Sequence, residues 1–174
     1  VIRGRTQFNW GYLAYAGTNV NSGAGKLTVN ANLYGSAGQQ TIRLGMGGGR
    51  TIPTYFISDS TQSAALTIQA TNTSNVATWG IYIDEGGTAY GNMVNFVGRG
   101  GVDIDATNST YLYSLRLRNT NILAAQGEIN INTGNKAIYG PANDPNYPAN
   151  IGSMAGSPIT TSSADIKIIV DRFD

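Results

Sequence analysis

Four carboxylates sit at spacings that could do chemistry. Asp84 and Glu85 are adjacent, and Asp103 and Asp105 flank Ile104. If these segments stack, a pair of carboxylates about 5–9.5 Å apart can hydrolyse a glycosidic bond, and their oxygens can also hold Ca²⁺. The alternation favours a plainer reading. With Val102 and Ile104 pointing inward, Asp103 and Asp105 point outward as solvated polar residues. Gly45-Met46-Gly47-Gly48-Gly49-Arg50 offers successive backbone amides of the kind that ring an anion. It lacks the Lys-Ser/Thr of a phosphate loop, and no helical pattern follows, so a turn between strands is the better reading. No catalytic residue, metal ligand or cofactor is therefore expected.

Candidate binding residues lie elsewhere. Arg116 and Arg118 alternate with Leu115 and Leu117, which places both guanidinium groups on an outer face. There they would discourage edge pairing, or take an anionic glycan. The segment 139–163 holds Pro141, Pro145, Pro148 and Pro158, four of the five prolines. Proline cannot donate to a strand ladder, so a loop leaving the repeat is expected there. Within it Tyr139, Asn143, Asp144, Asn146 and Tyr147 offer aromatic faces and amides suited to carbohydrate or protein contact. Asn72-Thr73-Ser74 and Asn108-Ser109-Thr110 are glycosylation sequons at equivalent offsets. An asparagine ladder across a turn is the stronger reading of both.

Composition narrows the function classes. The chain of 174 residues contains no His and no Cys. The commonest general base and metal ligand, His-dependent triads and thiolate sites are thereby excluded. Only 12% of residues are charged and the net charge is +1, which is not a nucleic-acid footprint. No apolar run approaches the roughly 20 residues of a membrane helix, and no direct membrane insertion is expected.

The elements that must position these residues follow from a repeat. Leu27-Thr28-Val29-Asn30-Ala31 is echoed by Leu66-Thr67-Ile68-Gln69-Ala70, Val102-Asp103-Ile104-Asp105-Ala106, Ile129-Asn130-Ile131-Asn132-Thr133 and Ile166-Lys167-Ile168. After the first lead residue come Ile42/Leu44 and Tyr55/Ile57; at the same offsets after the second come Ile81/Ile83 and Val94/Phe96. Three short strands per repeat returning to one phase are what a parallel β-solenoid needs. The expected fold is all-β, a right-handed parallel β-helix with loop excursions. Residues 1–25 form an incomplete or irregular first coil, and 26–174 the repeats. Val29, Ile42, Leu44, Leu66, Ile68, Ile81, Ile83, Val102, Ile104, Leu115, Leu117, Ile129, Ile131, Ile166 and Ile168 are expected to point inward. The chain opens at Val1 with no Met and no charged-then-apolar signal region, and it stops within the strand-like run Ile168-Ile169-Val170-Asp171-Arg172-Phe173, so it reads as a segment of a longer exported protein or as a mature protein trimmed at its N-terminus. Open coil ends would favour end-to-end self-association.

Gly25-Lys26-Leu27-Thr28-Val29, Gly101-Val102-Asp103-Ile104-Asp105-Ala106, Gly127-Glu128-Ile129-Asn130-Ile131-Asn132 and Ser163-Ala164-Asp165-Ile166-Lys167-Ile168 resemble the Gly-x-apolar-x-apolar units of filamentous-haemagglutinin-like adhesins. These are large Gram-negative proteins exported by two-partner secretion. No secretion-domain motif of the Asn-Pro-Asn-Gly type occurs in the chain. The resemblance implies a secreted or cell-surface shaft that contacts host or bacterial glycans and proteins without enzymatic work. It also implies that asparagines such as Asn72 and Asn108 can be modified. The rivals are a polysaccharide-active β-helix enzyme or phage tailspike, and a self-assembling extracellular filament subunit.

Overall fold

The computed structural model describes residues 1–15, 17–46, 52–73, 79–83, 94–107, 113–117, 120–139, 149–153 and 165–169. They form fourteen strands: β1 (Ile2–Tyr15), β2 (Asn19–Asn21), β3 (Leu27–Met46), β4 (Thr54–Ser58), β5 (Leu66–Asn72), β6 (Trp79–Ile83), β7 (Val94–Gly98), β8 (Val102–Asp105), β9 (Tyr113–Arg116), β10 (Thr120–Ala124), β11 (Glu128–Asn132), β12 (Ala137–Tyr139), β13 (Ala149–Ser153) and β14 (Asp165–Ile169). There is no helix among the described residues, and the strand pairs are parallel.

The pairings resolve into three ladders. The first stacks the N-terminal parts of β1 and β3 with β5, β8, β11 and β14. The second stacks the C-terminal parts of β1 and β3 with β6, β9 and β12. The third runs β2, β4, β7, β10, β13. Because β1 and β3 each continue from the first ladder into the second, those two form one nine-stranded sheet. Successive passages of the chain add strands to the ladders, so each interior strand finds its backbone partners in the layers before and after it, and the end strands β1, β2, β12, β13 and β14 pair on one side among the described residues.

Side-chain alternation decides what lies between the ladders. Leu27, Leu66, Val102, Ile129 and Ile166 stand in one column, and Ile2, Val29, Ile68, Ile104, Ile131 and Ile168 in the next. The second ladder contributes Ile42, Ile81, Leu115 and Ile138. The third contributes Val20, Phe56, Phe96 and Ile122. These columns meet in one core. Of the residues expected inward, all from Val29 to Ile131 are buried, and Ile168 is partly buried against the core. Ile166 stands in register with Ile129. A fully buried aliphatic or Phe side chain contributes about 1.5–3 kcal/mol before entropy, so continuous columns are the main source of cohesion.

One phase differs from the sequence reading. Equal offsets pair Tyr55/Ile57 with Val94/Phe96, but in the structure Thr54 meets Val94 and Phe56 meets Phe96. Counted from the paired Leu44 and Ile83, the chain takes one residue more to reach Val94 than to reach Thr54, which shifts the phase by one. Thr54, Phe56 and Ser58 are buried, while Tyr55 and Ile57 are only partly so. The Phe56 and Phe96 rings then stack with centroids 5.8 Å apart.

Residues 1–25, read as an incomplete or irregular first coil of the solenoid, contain β1 and β2. β1 follows β3 from Ile2–Val29 to Tyr15–Met46, with register shifts at Thr6/Phe8, Asn9/Trp10 and Ala14/Tyr15. In the proline-rich segment, Tyr139 ends β12 and Ala149–Ser153 pair with β10 as β13. No proline falls within β13; Pro148 precedes it. The corner between the third and first ladders is tightly stacked. A Cβ on Gly100 would lie 2.1 Å from the Gln62 carbonyl oxygen, and one on Gly127 would lie 2.3 Å from that of Gly100. Gly127 also has φ +76°, a conformation that glycine adopts without penalty.

Candidate functional site

The outer face of the second ladder gathers aromatic and cationic side chains. Register places Arg43 beside Tyr82 and Tyr139 beside Arg116, and the Ile81–Leu115 pairing brings Tyr82 next to Arg116. The result is a column alternating Arg, Tyr, Arg, Tyr along the stack. The Arg116 guanidinium carbon lies 4.6 Å from the Tyr82 ring centroid and 5.8 Å from that of Tyr139. The Arg43 guanidinium is 5.8 Å from the Tyr82 ring. Arg116 Nη1 also donates a hydrogen bond to Tyr82 Oη. A planar, weakly hydrated guanidinium suits such a slot better than an ammonium would.

A second aromatic group continues this surface. Trp79 and Tyr113 stack with centroids 5.3 Å apart and planes 13° from parallel. Tyr139 meets both edge-on, at 6.0 and 5.6 Å. Trp79 also meets Tyr82 edge-on at 5.6 Å. Each such pair is worth about 0.5–1.5 kcal/mol beyond burial, so the face is rigid as well as aromatic. Trp79, Tyr82, Tyr113 and Tyr139 are all half-buried and keep part of their surface toward solvent.

The outer face of the first ladder is polar instead. Asn30 Nδ2 donates to Gln69 Oε1 at 2.8 Å, and Gln69 Nε2 to Asp105 Oδ2 at 3.5 Å. Asn130 Nδ2 donates to Asp103 Oδ1 at 3.0 Å and to Glu128 Oε2 at 3.2 Å. Asp105 also accepts from the Thr107 amide at 3.0 Å. Of these, Gln69, Asp103, Asp105, Glu128 and Asn130 line a groove of about 490 Å³, together with Thr67, Asn132, Ile104, Ile131 and Ile169. Among the described residues, no three His, Cys, Asp or Glu side chains cluster as metal ligands. The third ladder carries a shorter amide chain, in which Asn121 Nδ2 donates to Asn95 Oδ1 at 2.8 Å.

The structure brings Arg116 and Tyr139 together, although their sequence positions gave no sign that they meet. Arg116 does stand outside the Leu115 and Leu117 columns. It is 6% exposed rather than open to solvent, because the Tyr82 and Tyr139 rings cover it. Asn72 is a second difference. It shares the inward phase of Leu66, Ile68 and Ala70, stands opposite Leu33 and is 5% exposed, which leaves its amide little room to carry a glycan. Asp103 and Asp105 face outward into the groove. Arg118, Asn108, Asn143, Asp144, Asn146, Tyr147, Asp84, Glu85 and residues 47–50 lie outside the described residues; Gly45 and Met46 close β3.

Sequence reasoning missed Trp79, Tyr82, Tyr113 and Arg43. A signal existed for two of them, since Arg43 and Tyr82 occupy the same offset after Leu27 and Leu66. Comparison with known protein families, curated proteins and solved structures finds no match for this chain.

Proposed function

We propose that this chain is a stretch of right-handed parallel β-solenoid from a secreted, filamentous-haemagglutinin-like surface protein of a Gram-negative bacterium, exported by two-partner secretion. It works as an adhesive scaffold. Its rigid layers hold contact surfaces toward glycans or proteins of host cells, neighbouring bacteria or biofilm, and it turns over no substrate. The right hand is supported by the strong preference of parallel crossover connections for that hand. The observation that carries the contact role is the partly exposed face of Trp79, Tyr82, Tyr113, Tyr139 and Arg43, held from beneath by the buried Arg116 and built on parallel strands that fix its geometry. Rigid aromatics of this kind give contact area at low entropic cost.

The test is adhesion of chain-coated beads to bacterial and epithelial cells and to a glycan array. The double substitution Trp79→Ala, Tyr113→Ala should lower retention at least about tenfold. Unchanged retention removes this face from the reading. Release of reducing sugar ends that disappears in Asp103→Asn would favour the polysaccharide-active alternative.

A further inference from the structure

Four oxidisable rings touch one another across three layers of the second ladder. Tyr82 meets Trp79 at 5.6 Å, Trp79 stacks on Tyr113 at 5.3 Å, and Tyr113 meets Tyr139 at 5.6 Å, with Trp79 and Tyr139 6.0 Å apart. All four are partly exposed, so an oxidant can reach them. The chain has no cysteine to intercept it. We propose that Tyr113 and Tyr139 form an oxidative cross-linking site, at which a peroxidase-type one-electron oxidant joins the two rings into a dityrosine that staples β9 to β12. Coupling needs no bound glycan or protein, so it is independent of the adhesive reading of the same face.

Three features select this pair. Tyr113 and Tyr139 stand on paired strands, and their contact at 78° holds the edge of one ring against the other, so radicals formed there meet without diffusion. The Trp79 indole lies against both rings, and an electron vacancy that enters at Trp79 or Tyr82 has a path of contacting rings to the pair. The Arg116 guanidinium, 4.6 Å from the Tyr82 ring and 5.8 Å from that of Tyr139, opposes a positively charged ring. Oxidation of those phenols is thereby coupled to release of the O–H proton, which yields the neutral radical. Each phenol of the pair loses one electron and its O–H proton, the two radicals join through their ortho carbons, and the ortho hydrogens move to the oxygens as the rings become aromatic again. The two electrons and two protons reduce one hydrogen peroxide to two waters.

Treatment of the dilute folded chain with hydrogen peroxide and a haem peroxidase, read by dityrosine fluorescence and tandem mass spectrometry, tests this. The expected product is a monomer lighter by two hydrogens, its peptides joined at Tyr113 and Tyr139, in a yield at least about tenfold above that from urea-unfolded chain. Tyr113→Phe and Tyr139→Phe, which keep a ring in place, should each abolish it. Absence of dityrosine, links mapped to other tyrosines, coupling chiefly between chains, or an equal yield from the unfolded chain would each overturn the proposal.

Discussion

Phe56 gives the sharpest test of how the third ladder is phased. Its side chain is fully buried. It stacks on Phe96 at 5.8 Å and meets Tyr12 edge-on at 6.2 Å. Truncation in Phe56→Ala removes the ring from the middle of a column, loses both aromatic contacts and leaves a cavity that neighbouring layers cannot close without breaking register. Substitutions of this kind cost about 3–5 kcal/mol, of which the two ring pairs account for roughly 0.5–1.5 kcal/mol each. Tyr55, one residue earlier, stands half-buried on the outer face, and Tyr55→Ala should stay within about 1 kcal/mol. Guanidinium denaturation followed by far-ultraviolet circular dichroism compares the two variants directly. Were Tyr55→Ala as costly as Phe56→Ala, the phase given by equal sequence offsets would be restored and the register argued here would fail.

Other outcomes follow from the same geometry. Ile104→Asp forces an unpaired charge into the column between Ile68 and Ile131, and should cost several kcal/mol in the same assay. Gly100→Ala places a methyl 2.1 Å from the Gln62 carbonyl oxygen. It should lower the melting temperature far more than Gly23→Ala, which meets nothing within 4 Å and carries only the strain of φ +57°. Burial raises the Tyr12 phenol above its ordinary value of 10.0. The unfolded chain therefore loses this proton first, and stability contributed by the neutral phenol declines as pH rises from about 10 toward the folded value. Alkaline melting curves should show a smaller loss over that window in Tyr12→Phe than in the parent; equal losses would contradict the assignment.

The first ladder was legible because its lead residues, Leu27, Leu66, Val102, Ile129 and Ile166, are each followed by polar–apolar alternation, and the true pairing has the same phase. The third was not. Thr54-Tyr55-Phe56-Ile57-Ser58 has apolar side chains on both faces, so periodicity cannot tell inside from outside, and a single-residue difference in spacing from the paired Leu44 and Ile83 decides it. The burial of Asn72 was not legible from its sequon, because the inward phase of β5 runs through it to the strand end. The aromatic face depends on contacts across three layers. Trp79, Arg116 and Tyr139 are far apart in sequence, and only stacking brings the indole and the guanidinium to the same tyrosine ring. The groove was legible in part, since Asp103 and Asp105 were read as outward, but Glu128 and Asn130 join them only through the pairing of β8 with β11.

Three parallel ladders stack in the stated register, and a chain without cysteine allows that register to be read by engineered disulfides. Neighbouring residues on paired strands lie about 4.8 Å apart, inside the Cα window of about 4.4–6.8 Å for a disulfide. Paired cysteines at Asn30 and Gln69 test the first ladder, at Arg43 and Tyr82 the second, and at Asn95 and Asn121 the third. Each pair should close under mild oxidation, seen as loss of free thiol by mass spectrometry, while the shifted pair at Asn95 and Ile122, on opposite faces, stays reduced. Closure of the shifted pair, or failure of the in-register pairs in folded protein, would contradict that register.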